Sequence, residues 1–204
     1  KRKHSWTGEN FTNLYSAVMG QDGALTSAER FSKSINSRFH ESTPVFSKDG
    51  QTVYFTRNNY LTKKGKDKDG AVLLKLYKAT LNGDNWENIT ELPFNSNEYS
   101  VAHPALSPDG KTLYFVSNMP GTLGQSDIFK VAINGDTFGA PENLGNTVNT
   151  EGRETFPFIT PENELFFASD GHPGLGGLDV FATKIEADGT FKNVVNVGEP
   201  LNSS

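Results

Sequence analysis

The chain has 204 residues, 35% hydrophobic and 21% charged, with a formal net charge of −5 and a pI near 5.4. That balance excludes a chain-wide electrostatic grip on nucleic acid. No apolar run is long enough to form a transmembrane segment, and the lack of cysteine removes disulfides, thiolate catalysis and Cys-zinc sites. The low apolar share, with 20 Gly and 10 Pro beside 15 Phe and 6 Tyr, points to many short strands joined by turns around aromatic residues.

In chain order, residues 1–10 are a lead-in, Lys1-Arg2-Lys3-His4 with no apolar stretch behind it, so no signal peptide is read there. Residues 11–37 read as the second half of a repeat unit. They hold one strand, Leu14-Tyr15-Ser16-Ala17, a turn at Asp22-Gly23 and a closing triplet, Ile35-Asn36-Ser37. Three whole units follow at 38–96, 97–150 and 151–204. Each opens on a Pro-containing strand: Thr43-Pro44-Val45-Phe46, His103-Pro104-Ala105-Leu106 and Phe156-Pro157-Phe158-Ile159. In the first two units Ser-x-Asp-Gly-x-Thr leads into a second strand, ending Tyr54-Phe55 and Tyr114-Phe115; the third unit is one residue shorter and ends Phe166-Phe167. A third strand carries Leu76-Tyr77, Ile128-Phe129 or Val180-Phe181, and a further Asn-Gly or Asp-Gly turn precedes the fourth. Such dipeptides between apolar runs signal hairpins because they tolerate the positive φ of a tight turn. The units close on Phe94-Asn95-Ser96, Val148-Asn149-Thr150 and Leu201-Asn202-Ser203.

Four antiparallel strands in a repeat of about 50 residues describe a propeller blade. The expected fold is all-β: a β-propeller of four-stranded antiparallel blades, about three and a half of them, as a partial ring whose exposed half-blade leaves sheet edges unpaired.

The string Ser107-Pro108-Asp109-Gly110-Lys111-Thr112-Leu113-Tyr114-Phe115 resembles the TolB-type, WD-like propeller repeat. Two loops share a Pro-Gly-x-Leu-Gly-x-x-Asp-apolar-Phe pattern, at Pro120–Phe129 and, one residue shorter between Gly174 and Leu175, at Pro173–Phe181. That pattern is similar to propellers of OmpA-family outer-membrane lipoproteins, including PorE-type components of type IX secretion and partners of PorP/SprF-type barrels. The resemblance implies a scaffold at the periplasmic face of the outer membrane. Its partners would be outer-membrane or periplasmic proteins, with peptidoglycan reached only through a domain outside these residues.

The residue chemistry fits a binding module that needs no cofactor. Asp127 and Asp179 precede the third strand of their units and read as structural turn carboxylates, accepting N–H groups of the Gly-rich loop before them. The alternative, calcium, wants carboxylates at alternating positions; Asp67-x-Asp69 has that form but sits among lysines. The four histidines show no metal-ligand spacing. A glycan hydrolase would need paired carboxylates on the inner strands, and 43–47, 103–107 and 156–160 contain none. The propeller of a hydrolase, either a glycan hydrolase or the lid of a serine peptidase, is the alternative reading. The interval from Phe55 to Tyr77 is eight residues longer than its counterparts, and insertions in repeats gather on a binding face. A partner surface is therefore expected at Arg38, His40, Arg57, Tyr60, Leu61, Lys63, Lys64, Met119, Leu123, Arg153 and His172.

Overall fold

The computed structural model describes residues 11–37, 39–58 and 72–204. These hold fifteen strands and no helix, hence no helix long and apolar enough to cross a membrane. β1 (Tyr15–Ser16) and β2 (Glu29–Arg30) pair as a half-sheet. Sheet 1 runs in the order β3 (Glu41–Phe46), β4 (Thr52–Asn58), β5 (Leu74–Asn82), β6 (Asn85–Glu91). Sheet 2 runs β7 (Val101–Leu106), β8 (Thr112–Ser117), β9 (Asp127–Asn134), and two short pieces, β10 (Thr137–Phe138) and β11 (Glu142–Asn143), share the outer edge of β9. Sheet 3 runs β12 (Glu154–Ile159), β13 (Glu164–Ser169), β14 (Asp179–Lys184), β15 (Val195–Asn196). All pairings within the sheets are antiparallel, so the all-β class and the repeated sheet are both present. The sheets form an open stack; among the described residues no strand of sheet 3 meets the half-sheet.

Local chemistry explains the first hairpin of sheets 1 and 2. Asp109 Oδ1 accepts from Ser107 Oγ at 2.6 Å and from the Lys111 N–H at 3.0 Å, while Ser107 Oγ accepts from the Thr112 N–H at 2.9 Å. Asp49 and Ser47 repeat these bonds. Gly50 and Gly110 take φ of 70° and 69°, where a side chain would be strained.

Strand alternation then builds the stack. In β8, Leu113 and Phe115 point one way and Tyr114 and Val116 the other. Leu113 and Phe115 pack on Tyr54, Leu76 and Phe94 of the preceding unit; Tyr114 and Val116 pack on Leu165, Phe167 and Phe181 of sheet 3. Leu14 and Ile35 likewise seal the half-sheet onto Val53, Phe55 and Tyr77 of sheet 1. One stacked cross-strand pair recurs in every sheet: Phe55–Tyr77, Phe115–Phe129 and Phe167–Phe181, with ring centroids 5.8, 5.9 and 6.0 Å apart.

The closing triplet has a specific task. Its Asn clamps both backbone groups of one apolar residue at or near the start of the third strand. Asn149 Oδ1 accepts from the Ile128 N–H at 2.8 Å and its Nδ2 donates to the Ile128 carbonyl at 2.9 Å. Asn36 does this at Leu14, Asn95 at Leu76 and Asn202 at Val180. The amide stands in for a strand residue where the fourth strand has ended, so both backbone groups of the clamped residue are paired.

Candidate functional site

The first strands of the three sheets, β3, β7 and β12, lie against one another, with β7 in the middle. Each carries a bulge before its proline. Thr43, His103 and Phe156 have φ of 46°, 54° and 50°, and the pairing register shifts there in all three strands. A left-handed non-glycine residue costs of order 1–3 kcal/mol unless the surroundings hold it. Here Thr56 Oγ1 bonds Thr43 Oγ1 at 2.8 Å and accepts from the His103 N–H at 3.0 Å, tying the first two bulges together.

The bulges surround a cavity of about 320 Å³ walled by residues 43–45, 103–106 and 156–159. Its walls are largely apolar, with Phe156 and Phe158 52% and 61% exposed. His103 is its one ionisable wall residue. The His103 ring meets Phe156 edge-on at 4.1 Å, and its buried Nδ1 has no hydrogen-bond partner among the described residues. Burial pushes its pKa down to about 4, so the imidazole is neutral at physiological pH. The cavity therefore suits an apolar or aromatic group. It offers neither a cation nor a nucleophile-base pair.

Two carboxylates escaped the sequence reading because β3 and β12 begin two residues earlier than the Pro segments suggest. Glu41 and Glu154 open these strands and are buried. Glu154 accepts from the Thr150 N–H at 2.8 Å, Thr150 Oγ1 at 2.6 Å and Ser169 Oγ at 2.7 Å. Glu41 accepts from Ser37 Oγ and pairs with Arg57 Nε at 3.3 Å. Burial raises the Glu41 carboxyl and lowers the Arg57 guanidinium relative to their ordinary values. Both acids hold loops to strands.

The expected partner surface is corrected in two places. Arg57 is buried, lies 5.1 Å from the centroids of both the Phe55 and Tyr77 rings and donates to the Ile35 carbonyl, so it anchors the half-sheet rather than facing a partner. Met119 is buried in the core between sheets 1 and 2. His172 donates through Nε2 to the Val148 carbonyl at 2.8 Å and packs on Phe181. His40 Nδ1 accepts from Thr12. Arg153 is exposed and pairs with Asp170 at 2.7 Å; Leu123 is half exposed. Arg38, Tyr60, Leu61, Lys63 and Lys64, with Asp67 and Asp69, lie outside the described residues.

Asp127 and Asp179 are buried. Asp127 accepts from the Leu123 N–H at 2.7 Å, the Gly124 N–H at 3.3 Å and Asn143 Nδ2 at 2.6 Å. Asp179 accepts from the N–H groups of Leu175 and Gly176 and from Asn196. Asn143 and Asn196 pass the chain on to the clamp residues Asn149 and Asn202, at 2.8 and 2.7 Å. The sequence reading missed these two, although both stand in an Asn-apolar-Gly string six residues before the clamp. In sheet 1 a Lys75–Glu91 ion pair at 2.9 Å takes the place of the Asp–Asn pair.

No protein-family model matches the chain, and no curated protein matches it. Solved structures do. A Mycobacterium tuberculosis puromycin-hydrolysing peptidase matches 87% of this chain over 24% of its own, at 14% identity and a TM-score of 0.54. A puromycin hydrolase matches 92% over 28%, at 16% identity and 0.53. A thermostable family-43 glycoside hydrolase matches 93% over 73%, at 12% identity and 0.53. The chain thus spans about a quarter of the length of the first two. The shared property is the fold.

These neighbours overturn the resemblance to OmpA-family lipoproteins and, with it, the non-enzymatic scaffold of an outer-membrane assembly. The physical reason lies in the motifs. Ser-Pro-Asp-Gly-Lys-Thr is accounted for by hairpin bonding, and the Gly-rich loop ending in Asp by backbone capping, so both report a local shape that unrelated proteins share.

Proposed function

We propose that the chain is an arc of a β-propeller and forms the propeller domain of a hydrolase of the peptidase kind. The observation that carries this reading is the convergence of β3, β7 and β12 on an apolar cavity with no catalytic pair, in a fold shared with peptidases. In this reading the reacting groups belong to a catalytic domain, and the propeller admits or rejects substrate. Pro44, Pro104 and Pro157 stiffen the cavity wall, and the neutral His103 lets an apolar side chain enter without facing a buried charge. The glycan-hydrolase version is disfavoured because Glu41 and Glu154 are each committed to a structural partner, whereas glycoside cleavage needs two carboxyl groups facing one bond.

The test is to assay the polypeptide carrying this region on chromogenic peptide anilides and aryl glycosides, and to label it with a fluorophosphonate. Hydrolysis of peptides with apolar side chains is expected, with the label outside the residues described above. Cleavage of glycosides alone, or no hydrolysis of either class, would overturn the reading.

A further inference from the structure

The hairpins at the outer edges of sheets 1 and 2 turn on Asn82-Gly83 and Asn134-Gly135, and Asn-Gly occurs nowhere else in the chain. Asn-Gly is chemically labile because the glycine nitrogen, unhindered by a side chain, can attack the carbonyl carbon of the Asn amide. Both asparagines are exposed, and Gly83 and Gly135 take φ of 58° and 62°. Neither glycine N–H has a hydrogen-bond partner among the described residues. The two dipeptides are alike in sequence, but the fold surrounds them differently.

Three contacts set them apart. Asn82 Nδ2 donates to Glu87 Oε2 at 3.0 Å, which ties the amide down, makes its carbon a poorer electrophile and sets a negative charge beside the attacking nitrogen. The Asn134 amide has no such bond among the described residues. Thr137 Oγ1 donates to the Asn134 carbonyl at 2.8 Å. That carbonyl belongs to the peptide joining Asn134 to Gly135, so the bond makes the Gly135 N–H easier to deprotonate. Sheet 1 has Asn85 at this place, without a hydroxyl. Attack also requires the strand end to open. The β5–β6 hairpin is paired as far as Tyr77 and Glu91 and buries Trp86, whereas β10 makes two pairs with β9.

The other susceptible dipeptides are locked. Asn36, Asn95, Asn149 and Asn202, each followed by Ser or Thr, use both amide atoms as backbone clamps. The Asp-Gly turns at Asp49, Asp109 and Asp188 accept from the hydroxyls of Ser47, Ser107 and Thr190 and from N–H groups, which hold their carboxyls below the ordinary range. An ionised carboxylate is a poor electrophile.

We propose that Asn134-Gly135 is a site of spontaneous modification in the folded chain, with the Thr137 hydroxyl promoting it. The Gly135 nitrogen bonds to Asn134 Cγ, the Cγ–Nδ2 bond breaks, and the amide leaves as ammonia with the proton lost from Gly135. Water then opens the succinimide ring at either carbonyl, giving Asp or isoaspartate. Both products place a new carboxylate two residues from Asp136, whose 2.6 Å bond to Lys78 is the only ion pair between two sheets among the described residues. Isoaspartate also lengthens the backbone by one carbon at the pair that closes the hairpin, Asn134 and Thr137. Modification therefore loosens the rim between sheets 1 and 2. The site is independent of the hydrolase reading.

The experiment incubates the folded polypeptide carrying this region in mildly alkaline buffer, beside the same chain unfolded in urea. Peptide mapping by mass spectrometry follows each site, and methyl transfer by an isoaspartyl methyltransferase reports the isoaspartyl product. Unfolded, Asn82 and Asn134 should react at similar rates. Folded, Asn134 should react at least about fivefold faster than Asn82. Thr137→Val should slow Asn134 about fivefold and leave Asn82 unchanged, whereas Thr137→Ser should keep the wild-type rate. An Asn82 that keeps pace in the folded chain, or an Asn134 that reacts only when unfolded, overturns the proposal. An Asn134 rate unaltered by Thr137→Val overturns the part given to the hydroxyl.

Discussion

Burial alone sets the protonation of His103, and that has a consequence for acid stability. Its pKa is about 4 in the folded chain against 6.5 for an unburied histidine. Above pH 6.5 the ring is neutral in both states and contributes no pH dependence. As pH falls from 6.5 towards 4, the unfolded chain takes up a proton that the folded chain refuses, so stability drops, by about 2–3 kcal/mol in total. Glu41, raised by burial, works the opposite way, so the comparison must hold it constant. Urea titrations of wild type and His103→Gln near neutrality and at a pH of about 4 do so. The variant should lose about 2 kcal/mol less on acidification; equal losses would mean that the buried ring is not the titrating group. The Ser107–Asp109 turn was legible in the sequence because its bonds span five residues or fewer. His103 was not, because its environment is made by Thr56 and Phe156, 47 and 53 positions away.

Between residues and the whole stands the sheet, and sheet 1 departs from its neighbours in one connected way. Sheets 2 and 3 hold the mouth of the third strand with an Asp that caps a Gly-rich loop and leans on an Asn. Sheet 1, where the interval is eight residues longer, has Lys75 and Glu91 at those positions. Glu91 also accepts from the Tyr77 hydroxyl at 3.0 Å, and it helps burial push the Tyr77 hydroxyl pKa up. Lys75→Asp should destabilise the fold by about 2 kcal/mol, because it sets two carboxylates together at a partly buried site. Adding Glu91→Asn should recover at least about 1 kcal/mol by rebuilding the Asp–Asn pair. Urea unfolding of the four chains of that cycle gives the coupling energy. Additive losses would show that the two positions do not act as a pair.

At the scale of the molecule, each sheet buries its faces only against the sheets beside it, so stability is passed from neighbour to neighbour. Sheet 2 is covered on both sides, whereas both strands of the half-sheet are exposed along their length. Hydrogen exchange followed by mass spectrometry should therefore find β8 and β9 the slowest segments and β1 and β2 the fastest, with sheets 1 and 3 between. Uniform exchange across the chain would mean that the stack unfolds as one unit.

By itself the sequence determined the strands, their turns and their repetition, because alternation and hairpin chemistry act over a few residues. It also carried the clamp triplets as a pattern, without saying what they hold. Only the tertiary structure decided which sides of those strands are covered. Arg57 and Met119 look like surface residues of a long loop, yet close packing between sheets buries them. Phe158 and Val195 look like core residues, yet they stand open because no described sheet lies beyond them. Burial is a property of what lies opposite a residue, and in this chain the residue opposite is about 50 positions away.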